Sequence, residues 1–377
     1  MLNVHMLPAK EGDFFWIEYG EREPYFHILI DGGVDITGNT FVKIINEIDL
    51  RGESVEALIL THIDYDHIQG VIVGLERTPK EVLNRVIKRI IFNTSKGIKN
   101  KKITTTNSSK NWEEVIKVNI STAGYGVGDA ISLIELIKKN ELTDRLIDYV
   151  VAGNIIYTEL GAQIKVISPN HEALEKLLTD WEEYDPMGIS EGYASNIEFL
   201  NKNLVELQNE PLVYDSSVNN RSSIAFIFEY NTLKIAFLGD SVPSECIKGL
   251  AEQKISIPYN VDAVKISHHG SRSNTSDKFL KALPTENYLI STNGNGRKVP
   301  SKVVLAHLLK CSTFENVNIY CNYKWWELEY NNKYFTLEDQ QNFFDKNTAK
   351  IIYLEAKGTE VRQGMVFYGK YTAKTKY

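Results

Sequence analysis

Three apolar runs, each as long as a buried strand, end in residues that bind metal ions, and this recurrence constrains the fold more than any other feature of the sequence. Residues 56–60 (EALIL) run into Thr61-His62-Ile63-Asp64-Tyr65-Asp66-His67. Residues 233–238 run into Gly239-Asp240-Ser241, and residues 262–266 into Ser267-His268-His269-Gly270-Ser271. Short apolar runs bounded by turn residues read as strands covered on both faces, the pattern of sheets packed under helices. Imidazole and carboxylate groups are ligands for zinc, manganese and iron, and added carboxylates favour the harder ions. A lone histidine at a strand end is ordinarily a hydrogen-bonded bystander, and an Asp beside a Gly a turn residue. Their conjunction after three separate strands predicts a metal site.

Strands and helices alternate along the rest of the chain, which is α/β architecture. Strands are expected over 14–19 and 25–30, the second stopping at Asp31-Gly32-Gly33, a sharp turn that lets neighbouring side chains point into a cleft. Helices are expected over 41–48, 79–87, 129–139, 172–181, 244–252, 278–283 and 301–309. Further strands are expected over 89–92, 163–167, 222–230 and 288–291. Residues 94–122 are rich in Lys, Asn, Thr and Ser and read as an exposed or mobile loop. Residues 183–210 are polar and read as a cap over a neighbouring surface, while residues 311–377 are strand-like and aromatic.

Composition narrows the class. Of 377 residues, 43% are apolar and 24% charged, which excludes wholesale disorder or a fibrous chain. No apolar run approaches the roughly 18 residues of a membrane span, and residues 1–13 lack a basic start followed by an apolar core, so no signal peptide is expected. Cys246, Cys311 and Cys321 are scattered, which fits a reducing cytoplasm rather than a disulfide framework. A net charge of −7 means the surface as a whole does not attract nucleic acid.

The run His62-x-Asp64-x-Asp66-His67 resembles the metal motif of the metallo-β-lactamase fold superfamily, whose common form carries His where this chain has Asp64. The Asp form is similar to the branch typified by the metallo-β-lactamase-like domain of the ComEC DNA-uptake protein. Further segments match in the same order: Gly12-Asp13, Leu29-Ile30-Asp31-Gly32-Gly33, Asn219-Asn220-Arg221-Ser222, Phe237-Leu238-Gly239-Asp240 and His268-His269-Gly270-Ser271. The resemblance implies a four-layer αββα sandwich with a binuclear metal site at one sheet edge. It implies a catalytic domain over 1–310, with insertions at 94–160 and 183–218, and a strand-rich C-terminal extension over 311–377 packed on it. Carried over residue by residue, His62 and Asp64 would hold one of two divalent ions, Zn or Mn. Asp66, His67 and one of His268/His269 would hold the other, with Asp240 bridging. His268, at the strand exit, is the first choice of that pair, leaving His269 to meet a substrate oxygen. Asp31 resembles the carboxylate that orients ligand imidazoles.

Two departures stand out. The superfamily usually has another ligand His between the first cluster and the Gly-Asp, but here that interval holds His171, in a strand–Ser-Pro–helix segment, which reads as a surface residue at a helix start. Asn220 or water would then complete the first site. Val299-Pro300 stands where many ComEC-like chains have His-Pro.

The expected activity is metal-dependent hydrolysis of a phosphodiester, of the nuclease kind, with Asp66 or Asp64 taking the proton of the attacking water. Ser271 and Arg272 either hold an anionic substrate oxygen or form a plain polar loop. The basic stretch 96–110 either tracks a nucleic-acid backbone or is a solvated loop. The acidic balance supports a small substrate instead, such as a lactone, an ester or a cyclic nucleotide. A third reading is a non-catalytic partner or effector module. The insertions and the C-terminal region are expected to wall the cleft or meet a protein partner, and no membrane contact is expected. The resemblance further implies a place in bacterial multi-protein systems, antiviral ones included.

Overall fold

A computed structural model describes residues 1–106, 126–182, 199, 201–294, 299–328, 334–355, 364–367 and 374–375. Its strands gather into two eight-stranded sheets. The first sheet takes β1 (Leu2–Met6), β2 (Phe15–Tyr19), β3 (Phe26–Ile30), β4 (Ser54–Ile59), β5 (Ile90–Ile91) and β6 (Leu146–Ile147). The second takes β7 (Ile155–Tyr157), β8 (Gln163–Ser168), β9 (Ala225–Tyr230), β10 (Leu233–Phe237), β11 (Ala263–Lys265), β12 (Asn287–Ile290), β13 (Val317–Cys321) and β14 (Ala349–Tyr353). The chain then returns to the first sheet as β15 (Gly364–Phe367) and β16 (Lys374–Thr375). The orders are β16-β15-β1-β2-β3-β4-β5-β6 and β14-β13-β12-β11-β10-β9-β8-β7.

Each sheet is antiparallel in one part and parallel in the other. Strands β3 to β6 run parallel, as do β10 to β14. In a parallel run every strand ends at the same edge, so the loops leaving those strands gather along that edge. The C-terminal strands are integral to this plan: β13 pairs with β12, and β15 lies antiparallel to β1.

Strand alternation explains the layers. On β2, Phe15, Ile17 and Tyr19 face the second sheet, and Trp16 faces outward. On β9 and β10, Phe226, Phe228, Ile235 and Phe237 face back into the same central core, and Ile227 and Ala236 face the other way. Helices cover both outer faces. Over the first sheet lie α1 (Gly38–Leu50), α2 (Tyr65–Arg77), α3 (Lys80–Val86), α4 (Ser95–Thr106), α5 (Val127–Lys139) and α6 (His171–Glu182). The helices Pro243–Glu252, Asp277–Ala282 and Lys302–Cys311 cover the second through Leu250, Phe279 and Leu308. Three apolar cores separated by two sheets make a four-layer αββα sandwich. Among the described residues, no helix is long and apolar enough to cross a membrane.

One expectation is corrected. Residues 95–106 are helix α4 rather than exposed loop: Ile98 is fully buried, and Thr94 caps the first turn by accepting from the Gly97 amide at 3.0 Å. The rest of that stretch, 107–122, and residues 183–198 lie outside the described residues.

Candidate metal centre

Strand β4 delivers Thr61 and His62 to the sheet edge, and Asp64 then stands at the N-cap of α2 with Asp66 and His67 in its first turn. A carboxylate there is favoured by the positive end of the helix. Two glycines permit the close packing that this needs. A Cβ on Gly70 would lie 1.9 Å from the Gly32 carbonyl oxygen, so only Gly lets α2 sit against the end of β3. A Cβ on Gly12 would lie 1.6 Å from the Asp66 carbonyl oxygen. From the second sheet, Asp240 comes just after β10, and His268 and His269 just after β11.

All four imidazoles turn Nε2 toward the Asp240 carboxylate. The distances are 3.9 Å from His62, 3.5 Å from His67, 3.7 Å from His268 and 3.7 Å from His269. Asp64 lies 3.5 Å from His62, and Asp66 lies 3.5 Å from His269 and 4.0 Å from His67. Two donor triads result, His62–His67–Asp240 and Asp66–His67–His269, all buried.

The opposite ring nitrogens explain this aim. His67 Nδ1 donates to Asp31 at 2.8 Å, and His269 Nδ1 donates to the Ser291 carbonyl at 2.8 Å. His268 Nδ1 donates to the Asn274 amide oxygen at 2.9 Å, an orientation set because the Asn274 amide nitrogen donates to Asp215 and to the Asp240 carbonyl. The Thr61 hydroxyl donates to Asp31, so it accepts from His62 Nδ1 at 3.0 Å. A ring that gives its proton at Nδ1 keeps its lone pair at Nε2. The Nε2 atoms of His62, His67 and His269, together with Asp240 Oδ1, are buried without a hydrogen-bond partner. Leaving such groups unmatched costs about 1–3 kcal/mol each. Inward-aimed lone pairs and anions with no donor among them fit divalent cations.

Electrostatics agree. Burial opposes charge on His67, but Asp240 and Asp31 outweigh it and hold the imidazole well above its ordinary range. His269 is pushed up to about 9, again against burial, by Asp240 and Asp13. Asp240 is held well below the usual carboxylate range because His268, His67 and His269 outweigh its burial. The pocket demands positive charge, which protons and cations compete to supply. Its backbone is also constrained: Asp31, His268 and His269 all have positive φ, at 55°, 47° and 55°. Such conformations cost non-glycine residues about 1–3 kcal/mol each and concentrate at functional sites.

Every ligand expected from the sequence meets here, and Asp31 lies behind His67. The tandem histidines divide the cluster: His269 groups with Asp66 and His67, whereas His268 lies beside Asn274 and Asn220. Asn220 donates to Asp215 at 2.6 Å. The Ser271 hydroxyl meets Ser273, and Arg272 donates to the Pro211 carbonyl while stacking over Phe199, 4.7 Å from its ring centre. His171 starts α6, bonded to the Tyr149 hydroxyl at 2.6 Å and 3.4 Å from Glu175. One residue of each expected insertion comes near the site. Gly126 at the start of α5 borders Ile63, and Asp215 supports His268 through Asn274.

Asp13 and Asn219, which lie in segments that the resemblance matches without implying a role for them, also belong to the site, and so do Lys265, Asn274 and Ser291. Of these last three, only Lys265 leaves a signal in the sequence, as a charged residue inside an apolar strand run. A second buried group, Glu18, His27 and Glu53, has ligand chemistry but no free imidazole nitrogen. Trp16 donates to His27 Nδ1, His27 Nε2 faces Glu53, and Arg51 already balances both carboxylates.

Residues 24–99 match the model of the Metallo-beta-lactamase superfamily. That segment carries Asp31, His62, Asp64, Asp66 and His67. No curated protein matches the sequence. Similar solved structures include a mutant of the CmlA beta-hydroxylase, at 12% identity over 76% of this chain and 45% of that one, with a TM-score of 0.34. A protein of unknown function from Enterococcus faecalis has 10% identity over 70% of this chain and 48% of that one, with a TM-score of 0.29. MEM-A1, a subclass B3 metallo-beta-lactamase isolated from a soil metagenome library, has 9% identity over 81% of this chain and 91% of that one, with a TM-score of 0.28. The chain spans about half the length of the first two.

Proposed function

We propose that this chain is a metal-dependent hydrolase of phosphodiesters, of the ComEC-like branch of the metallo-β-lactamase superfamily. The observation that carries the metal is the convergence of buried imidazole Nε2 atoms on one carboxylate, Asp240. His62, Asp64 and His268 would hold one cation, Asp66, His67 and His269 the other, with Asp240 shared. In this assignment each of the tandem histidines serves one ion, so His268 supplies what the absent histidine supplies in other members.

Divalent ions bound there would supply Lewis acidity and lower the pKa of water. The side chains do the rest. Asp31, Ser291 and Asn274 hold His67, His269 and His268 by Nδ1, so each of these rings presents Nε2 to the centre. Asp66 and Asp64 are the carboxylates placed to take the proton of the attacking water. Asp64 has the outlet: 29% of its side chain is exposed, and Asn219 steadies it at 2.7 Å. The phosphodiester assignment is supported by the Asp at position 64 and by the basic residues of α4.

The test is hydrolysis of bis-p-nitrophenyl phosphate and of single-stranded DNA in Mn²⁺ or Zn²⁺. Asp66→Ala is expected to lose about 10²–10⁴-fold in rate, the usual worth of a positioned acid or base. A wild type that binds cations yet cleaves neither substrate ends the phosphodiester reading. The net charge of −7 supports a second reading, a small ester or lactone as substrate, which turnover of such a compound would establish.

A further inference from the structure

Lys265 is the last residue of β11, is 1% exposed, and extends beneath the metal cluster rather than away from it. Burying an ammonium is costly unless it is paired and hydrogen-bonded. Here Nζ forms an ion pair with Asp13 and donates to the Gly239 carbonyl at 2.9 Å. It stops 3.9 Å from Asp240 Oδ1, too far for a hydrogen bond, so that oxygen keeps its lone pairs.

The two partners matter. Gly239 has a φ of +49° and makes the turn that carries Asp240 into the pocket. Its carbonyl also accepts from the His268 amide at 3.0 Å, so Lys265 clamps the ends of β10 and β11 through one oxygen. Asp13 in turn lies 3.5 Å from His269 Nδ1. One ammonium therefore touches the backbone that aims Asp240 and the carboxylate beside His269. It also brings positive charge to a pocket holding Asp13, Asp31, Asp64, Asp66 and Asp240, more negative charge than two divalent cations carry.

We propose that Lys265 is a positioning residue for the metal centre, a built-in cation that sets Asp240 and His269 in place for the ions. This rests on the metal reading above. The test compares wild type, Lys265→Met and the double variant Asp13→Asn/Lys265→Met. Cation uptake is read by titration with Mn²⁺, the ligand field by the visible spectrum of the Co²⁺-loaded protein, and folding by thermal denaturation. Lys265→Met is expected to bind about 10–100-fold more weakly, the range for residues that support metal ligands, with a shifted Co²⁺ spectrum. The double variant, which no longer buries an unpaired carboxylate, is expected to regain thermal stability but not affinity. If Lys265 only neutralises Asp13, the double variant regains both, and the proposal falls. If Lys265→Met does not fold, the double variant alone decides. A wild type that takes up no cation overturns the metal reading and this proposal with it; normal wild-type uptake with an unaffected double variant overturns only this one.

Discussion

At the scale of single residues, the site is legible where one short segment supplies several ligands and silent where a loop supplies one atom. His62, Asp64, Asp66 and His67 stand together in the sequence because a strand end and a helix start can both present them. Ser291 contributes a backbone carbonyl to His269, a group every residue owns, so no pattern could reveal it. Arg272 shows the converse: a cation beside the tandem histidines whose side chain engages Pro211 and Phe199. Asp31 carries a sharper prediction, because it holds both His67 and Thr61. Asp31→Asn is expected to leave the fold intact and weaken cation binding about 10–100-fold, as measured by metal analysis of the dialysed protein. Full cation retention would remove Asp31 from the set that orients the ligands.

At the scale of elements, apolar strands announce themselves and polar or interrupted ones do not. Strands β4, β10 and β11 are plain in the sequence because both faces are covered. Strand β1 alternates Leu2, Val4 and Met6 with Asn3 and His5, the period-2 pattern of a strand, although all five residues are buried. Helix α2 is hidden because its first turn is occupied by ligand residues, and only Ile68, Val71 and Leu75 beyond them show the periodicity. Helix α4 reads as loop because its mean composition is polar, yet Ile98 is buried and Thr94 caps the first turn. The joint between α2 and β3 is the element most sensitive to change. Gly70→Ala is expected to cost more than about 3 kcal/mol, beyond ordinary overpacking, since the new methyl would meet backbone at 1.9 Å. Chemical denaturation measures it, and an unchanged midpoint would mean that α2 can shift without loss.

At the scale of the molecule, the layered architecture is legible from the alternation of strand and helix, but the pairing of the sheets depends on which aromatic faces meet. Phe15 packs edge-on against Phe237, and Tyr19 against Phe228, across the central core. The expected metal ligands repeat this division. Those of the first sheet come from β4 and α2, those of the second from the ends of β10 and β11. Ions held between them would tie the two halves together. Removing the ions with a chelator is therefore expected to lower the melting temperature, since a ligand at a hundred times its dissociation constant stabilises by about 2.7 kcal/mol. Identical melting curves with and without chelator would show that the sheets hold their relation unaided.

The antiparallel pairing of Gly364–Phe367 with Leu2–Met6 bears on how the protein is made. The earlier strand waits for a partner far along the chain before its outer side is hydrogen-bonded. Until that partner has been made, the side offers open backbone groups to any passing chain. The nascent protein is therefore exposed to mispairing along this edge for as long as the intervening residues take to synthesise.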